Sequence, residues 1–389
     1  VGLNVAPEGG FAQLSAASGK KSTSTKKSKN AKKSRTPKKV REARADAFRR
    51  GVNSVIAVLI TLVVLFGAFE VWMFLGRPGW PSGPGGERYT CLELWFHDNS
   101  VTYLVPVHRN VTLAPGDSVT VRAVEEFADG PHDPYLARIY PDEVPPPTVT
   151  KDGRTAIVDL PSDILGHLGG TARERAFLDA LTLTVASAGE CDNVRIMVGG
   201  EAAEATPEGY DLTEPLPPPQ VINHVPDSSL TGDSKWVTVY YLDSSDRYLL
   251  PLSLEVSEDA IDGNVAVERL LENPPQLSYP PPLPVAPSGY MLERITIENG
   301  TGTVELAVPN IQSTMSEQEV DTFRRAVFLT LKKSCSINDV VLKLNGIELE
   351  SYSRFSDLPD LNNASCWNIE RSPDDSIPAG QPSTRGEEV

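Results

Sequence analysis

The sequence predicts an α+β protein: two similar small domains after a single transmembrane helix, each a sheet with two helices arranged roughly β-β-α-β-β-α-β. Three observations carry this expectation. A long apolar run follows a basic N-terminal segment. A pattern of strands, helices and turns recurs 145 residues later. Each copy also has its own helix-start and tight-turn signals. Self-similarity at a fixed spacing marks one structural unit used twice.

The elements divide the chain into residues 1–50, a disordered basic cytoplasmic tail; 51–75, the transmembrane helix; 76–89, a linker; 90–212, the first domain; 213–234, a second linker; 235–370, the second domain; and 371–389, a disordered tail. Residues 1–50 hold fourteen Lys or Arg against Glu8, Glu42 and Asp46, a net of +11, so the other 339 residues carry -27 of the overall -16. Such a tail has no core-forming residues and repels itself. Its place beside an apolar run points to anionic lipid headgroups as its partner rather than nucleic acid, with a topology determinant and nothing more as the alternative.

Val52 to Phe69 is apolar apart from Asn53, Ser54 and Thr61, and Val71 to Leu75 extend it past Glu70. About 20 such residues cross the hydrocarbon. The run exceeds the roughly 7–15 residues of a cleaved signal peptide, and no small-x-small cleavage site follows promptly. Arg41, Arg44, Arg49 and Arg50 precede it, whereas only Arg77 and Arg88 lie just beyond. The positive-inside rule then puts the N-terminus in the cytoplasm and both domains outside a cell membrane crossed once. Pro78 to Gly86 reads as a spacer.

Each copy opens with paired strands: Leu94–Asp98 with Tyr103–Val107, and Val239–Asp243 with Tyr248–Leu252. A short helix follows, about Ser118 to Ala128 and about Asn264 to Glu272, each stopped by proline. Proline-rich loops lead to two hairpins. Thr148–Thr150 and Thr155–Leu160 flank Asp152-Gly153; Leu292–Glu298 and Thr303–Leu306 flank Asn299-Gly300. These dipeptides suit turns whose central residues need positive φ. Thr171–Glu174 and Ser316–Glu319 read as capping boxes opening the main helices. A strand ending in Gly199-Gly200 or Asn345-Gly346 closes each copy. This reading predicts one core per repeat; a single continuous core would remove its basis.

Cys91, Cys191, Cys335 and Cys366 lack the close spacing of a zinc site. All lie beyond the apolar run, where oxidation is permitted. Cys91 and Cys191 flank the first domain's strands, and Cys335 matches Cys191 in the second. The expected pairings are therefore 91–191 and 335–366, with buried free thiols as the alternative.

Chemistry-bearing patterns are sparse. His97, His108, His132, His167 and His224 do not recur at ligand spacing, and no HExxH, GxSxG, phosphate-binding or dinucleotide-binding fingerprint occurs. Asp133, Asp142 and Glu143 near His132 offer an acid or metal site in principle, but read better as a solvated edge. No enzyme activity, metal or cofactor is expected. Arg109, flanked by His108 at the end of a strand, is the candidate ligand residue, suited to an anionic group such as a carboxylate of cell-wall peptide. An ion pair is the favoured alternative.

With these elements in place, each unit resembles the GerMN (sporulation and spore germination) domain. The marks are Leu104-Val105-Pro106-Val107-His108-Arg109, Gly130-Pro131, Thr155–Leu160, Thr182-Leu183-Thr184 and Gly199-Gly200-Glu201. The resemblance covers residues 90–215 well and 235–355 more loosely. In the second copy Ser253-Leu254 replaces His108-Arg109 and Pro274-Pro275 replaces Gly130-Pro131. What it implies is a non-enzymatic extracytoplasmic interaction protein of the cell envelope, bound to envelope proteins or to itself. Open sheet edges suit self-association. A binding module for peptidoglycan glycan or peptide is the alternative, and a hydrolase or hydrolase subunit a third.

Overall fold

The computed structural model describes residues 86–275, 280–309, 316–352, 355–356, 358–359, 361 and 366–371. The expected tail at 1–50, span at 51–75 and tail end at 372–389 lie outside them. Among the described residues no helix is long and apolar enough to cross a membrane.

The first repeat contains β1 (Arg88–Asp98), β2 (Leu104–Leu113), α1 (Val119–Asp129), β3 (Leu136–Ala137), β4 (Thr148–Asp152), β5 (Thr155–Leu160), α2 (Ile164–Leu168), α3 (Thr171–Ser187), β6 (Asn193–Val198) and β7 (Glu201–Ala202). The second contains β8 (Ser234–Leu242), β9 (Leu249–Ser257), α4 (Asp262–Leu271), β10 (Met291–Glu298), β11 (Thr301–Ala307), α5 (Glu317–Cys335), β12 (Asp339–Leu344) and β13 (Ile347–Glu348). The expected single sheet per repeat is two. Strands β2-β1-β3 and β4-β5-β6-β7 serve the first repeat, and β8-β9 and β10-β11-β12-β13 the second. The second sheet of each contains a parallel pair, β5 with β6 and β11 with β12. A parallel pair needs a long crossover, which the main helix supplies.

Local signals held unevenly. Asn299 (φ 52°) and Gly300 (φ 82°) form the expected hairpin turn between Glu298 and Thr301. In the first repeat Asp152 pairs with Thr155, so the turn is Gly153-Arg154, one residue later than expected, with Gly153 at φ 58°. Ser316 and Glu319 make the reciprocal capping box. Thr171 does not cap: Gly170 takes that place, and Glu174 instead accepts the Glu208 N–H at 3.2 Å, pinning the loop after β7.

Each main helix also completes a sheet edge. Strand β3 pairs only with His97 and Asp98 of β1, leaving the Trp95 N–H without a strand partner on that side; Thr184 Oγ1 on α3 accepts it at 3.0 Å. In the second repeat Leu283 bridges only Leu242, and Thr330 Oγ1 on α5 accepts the Tyr240 N–H at 3.2 Å. An unpaired buried N–H costs about as much as a lost hydrogen bond.

The opposite edges, on β2 and β9, meet the segment expected to be the second linker and the last residues of the expected second domain. Asn223 lies after the first repeat and Asn368 after the second, 145 residues apart. Asn223 accepts the Leu104 N–H and donates to the carbonyls of Leu104 and Pro251, all at 2.8 Å. Asn368 does the reverse, accepting the Leu249 N–H (2.8 Å) and donating to Leu249 (2.8 Å) and Pro106 (2.7 Å) carbonyls. Beyond each asparagine the chain continues as a strap. Glu370 N donates to His108 O at 2.9 Å, and Val225 N donates to Ser253 O at 2.8 Å. The strap of each repeat is therefore laid on the strand of the other. Pro106 and Pro251 fit these edges because proline has a carbonyl to offer and no N–H to satisfy.

Consequently the two repeats do not have separate cores. They belong to one unit, Pro81–Val389, and their buried apolar side chains form one cluster. The expectation of two self-sufficient modules is corrected, because each module's edge strand is finished by the other's strap. Asn368, near the end of the stretch expected as the second domain, is at 4% exposure.

Asn368→Ala is expected to destabilise the fold by about 2–4 kcal/mol, since it strands one amide and two carbonyls. Asn368→Asp should cost more, because a carboxylate then faces the Pro106 and Leu249 carbonyls. Chemical denaturation followed by tryptophan fluorescence reads both.

Candidate functional site

Where β1, β2, the end of α3, α5 and the C-terminal strap converge, they enclose a cleft of about 470 Å³. Glu93 stands in it between the buried Leu92 and Leu94, so strand alternation points its side chain away from the apolar face. Glu93 Oε1 accepts from Ser187 Oγ at 2.7 Å and from Trp95 Nε1 at 3.1 Å. His108 Nε2 lies 3.4 Å from Glu93 Oε2. The Asn368 N–H points at His108 Nδ1 (3.3 Å), which assigns that nitrogen as acceptor and leaves the proton on Nε2. Trp367 packs on the His108 ring at 4.8 Å between centroids. Burial opposes the Glu93 charge, but the hydrogen bond and the electrostatic attraction of His108, the Ser187 hydrogen bond and the nearby Lys333 outweigh it and hold the carboxyl below its ordinary range. Lys332 lines the facing wall, 5.3 Å above the Phe328 ring.

This arrangement does not couple a nucleophile to a base. Ser187 Oγ donates to the carboxylate and accepts from Trp95 Nε1 at 3.1 Å, while both His108 nitrogens are occupied by other partners. Hydroxyl activation needs the base at the hydroxyl itself. The free thiols offer no substitute. Cys191 is buried, and burial, reinforced by Asp262, pushes the Cys335 thiol up, away from the thiolate form.

Arg109, the sequence candidate for an anionic ligand, is 7% exposed and already holds two carboxylates. Its Nη1 lies 2.6 Å from Glu126 Oε2, its Nη2 2.6 Å from Glu370 Oε2, and Nη2 also donates to the Gly130 carbonyl at 2.8 Å. The favoured ion-pair reading describes it, buried rather than on the surface. His108, its neighbour, lines the cleft instead. The positions 145 residues on from Arg109 and Glu126 are Leu254 and Leu271, and the position 145 before Glu370 is Val225. An apolar trio thus stands where the first repeat has a charged one.

The loop acids around His132 disperse. Asp133 is buried, accepting from Tyr248 Oη at 2.6 Å and pairing with Arg247 at 3.0 Å across the repeats, whereas Asp142 pairs with Arg138 at 2.7 Å. Glu126, Asp129 and His132 come close enough to share an ion, but the Glu126 oxygens are taken by Arg109 and Arg122. The expected disulfides are corrected as well. Cys91 joins Cys366 with Cα atoms 6.0 Å apart, and Cys191 and Cys335 are free. The bridge ties the C-terminal strap to β1, a pairing that only the strap's return to the first repeat makes possible.

Sequence reasoning missed Glu93, Ser187, Lys332 and Trp367. A Glu flanked by leucines in an otherwise apolar strand was the available signal for the first. The others come together only through tertiary packing. It also missed that His97, matched by Leu242 in the second repeat, is 6% exposed, with neither ring nitrogen hydrogen-bonded among the described residues. Burial lowers its pKa to about 4.

Two outcomes follow from these charges. Arg109→Leu alone should cost about 3–5 kcal/mol by leaving Glu126 and Glu370 buried without their cation, whereas R109L/E126L/E370V together should be about neutral or stabilising. Denaturation midpoints compare them. For His97 the unfolded chain takes up a proton near pH 6.5 and the folded one only near 4. Stability should therefore fall as pH drops through that window, by about 3 kcal/mol. His97→Leu should flatten that part of the stability–pH curve.

The geometry agrees with the comparisons to known proteins. Residues 93–204 match the family model Germane, described as sporulation and spore germination. Among solved structures, the tandem GerMN domains of the sporulation protein GerM from Bacillus subtilis match at 19% identity and TM-score 0.52, covering 67% of this chain and 92% of that one. The first GerMN domain of the same protein (18% identity, TM-score 0.28, 33% of this chain and 97% of that one) and a putative lipoprotein from Clostridium perfringens (18%, 0.25, 33% and 87%) also match. No curated protein sequence matches significantly. The first repeat matches the family model by sequence, and the two repeats together share the fold of tandem GerMN domains.

Proposed function

We propose that this chain is a non-enzymatic protein of the cell envelope, anchored through residues 51–75, whose paired GerMN repeats act outside the membrane as one interaction body. Its partners are other envelope proteins or further copies of itself. The observation that carries this reading is the use made of the polar groups at the repeat junction. Asn223, Asn368, Asp133, Arg247, Arg109 and Glu370 bond one part of the fold to another, and Ser187 and His108 are spent on Glu93. Buried polar networks of this kind rigidify a structure when every member is satisfied. The apolar run after a basic tail supports the anchor, and a sporulation protein's tandem domains with the same fold support an envelope setting.

The straps also narrow where self-association would occur. With β2 and β9 covered and β8 mostly buried, β10 is a terminal strand whose residues are mostly exposed among the described residues, including Met291 and Ile297. A register shift between Leu292 and Arg294, with Glu293, Arg294 and Glu298 alongside, is the sort of feature that discourages indiscriminate edge pairing.

Protease added to intact cells should remove a C-terminal epitope and spare an N-terminal one, and mild cross-linking should retain envelope proteins or oligomers. A C-terminal epitope protected until lysis would overturn the topology. A strictly monomeric chain that captures no envelope protein would overturn the interaction role.

A further inference from the structure

The junction cleft is lined by two opposite charges, the Glu93 carboxylate and the Lys332 ammonium. The Glu93 carboxylate is held by the Ser187 hydroxyl, the Trp95 indole and the His108 imidazole, whose Nδ1 accepts the Asn368 N–H. Among the described residues no Lys or Arg nitrogen reaches within 4.0 Å of it, and its side chain is 26% exposed. On the facing wall Lys332 rests over Phe328, with no carboxylate within 4.0 Å among the described residues. Leu329 and Trp367 also line the cleft.

We propose that this cleft binds a small zwitterion, a free amino acid or short peptide, with its ammonium group on Glu93 and its carboxylate on Lys332. The volume, about 470 Å³, lies within the range of small-ligand sites, about 300–1,000 Å³. Ionic groups taken out of water require a counter-charge, and a zwitterion supplies both at once. A phosphate would meet Glu93 as a like charge, and a neutral sugar would leave both charges unmatched. The apolar patch beside them suits a short aliphatic side chain. The Glu93 charge is not a requirement of the fold, because the matching position in the second repeat is Thr238. The proposal does not rest on the envelope reading: either stands if the other fails.

Isothermal titration of the full chain in detergent micelles tests it, with alanine, L-alanyl-L-alanine and D-alanyl-D-alanine as probes. At least one should bind saturably, and N-acetylation or C-amidation of that probe should weaken binding tenfold or more. Glu93→Gln should abolish the advantage of the free ammonium, and Lys332→Met that of the free carboxylate. Failure of all three probes to saturate, or equal affinity for a probe blocked at both ends, overturns the proposal. Lys332 is exposed, so Lys332→Met and the blocked probes decide the matter even if Glu93→Gln does not fold.

Discussion

Two edge strands, β2 and β9, run through the middle of this molecule with their outward amides and carbonyls facing one another, and a buried edge has no water to satisfy it. Asn223 and Asn368 solve that problem reciprocally. Each binds both backbone groups of one strand's leucine and a proline carbonyl of the other strand. A side-chain amide suits the place because it donates and accepts in one plane, as a further strand residue would. The rest of the junction depends on this pairing. It brings the straps onto the partner repeats and places Glu370 beside Arg109, while the disulfide holds the C-terminal strap against β1.

The two repeats share this frame but not its chemistry. The first uses Arg109, Glu126 and Glu370 where the second uses Leu254, Leu271 and Val225, and it buries His97 where the second buries Leu242. Both solutions fill the same space. Charged contacts in a low-dielectric interior gain little net stability over apolar ones, since desolvation offsets their attraction. They do demand particular partners, so the C-terminal strap, arriving with a carboxylate, fits the first repeat and not the second.

The cleft is a by-product of the same arrangement. Its walls come from both repeats and from the returning strap, and it exists only when they are assembled. Its polar groups are satisfied in ways that suit recognition and leave no hydroxyl or thiol activated.

Much of the fold was legible because it rests on local rules. The 145-residue recurrence, the paired aromatic strands, the Ser316 capping box and the Asn299-Gly300 turn depend on short-range geometry that residue type dictates. Errors began where a neighbour in space outweighed a neighbour in sequence. Thr171 gave up its cap to Gly170 as Glu174 turned to hold a distant loop, and the cysteines paired across 275 residues rather than within repeats. The polar stretch 213–234 reads as a linker because nothing local shows that a strand edge elsewhere lacks partners. By itself the sequence determined that two alike α+β units would form. Only tertiary structure decided that they are completed by exchange, because the satisfaction of a buried edge is a property of what lies beside it.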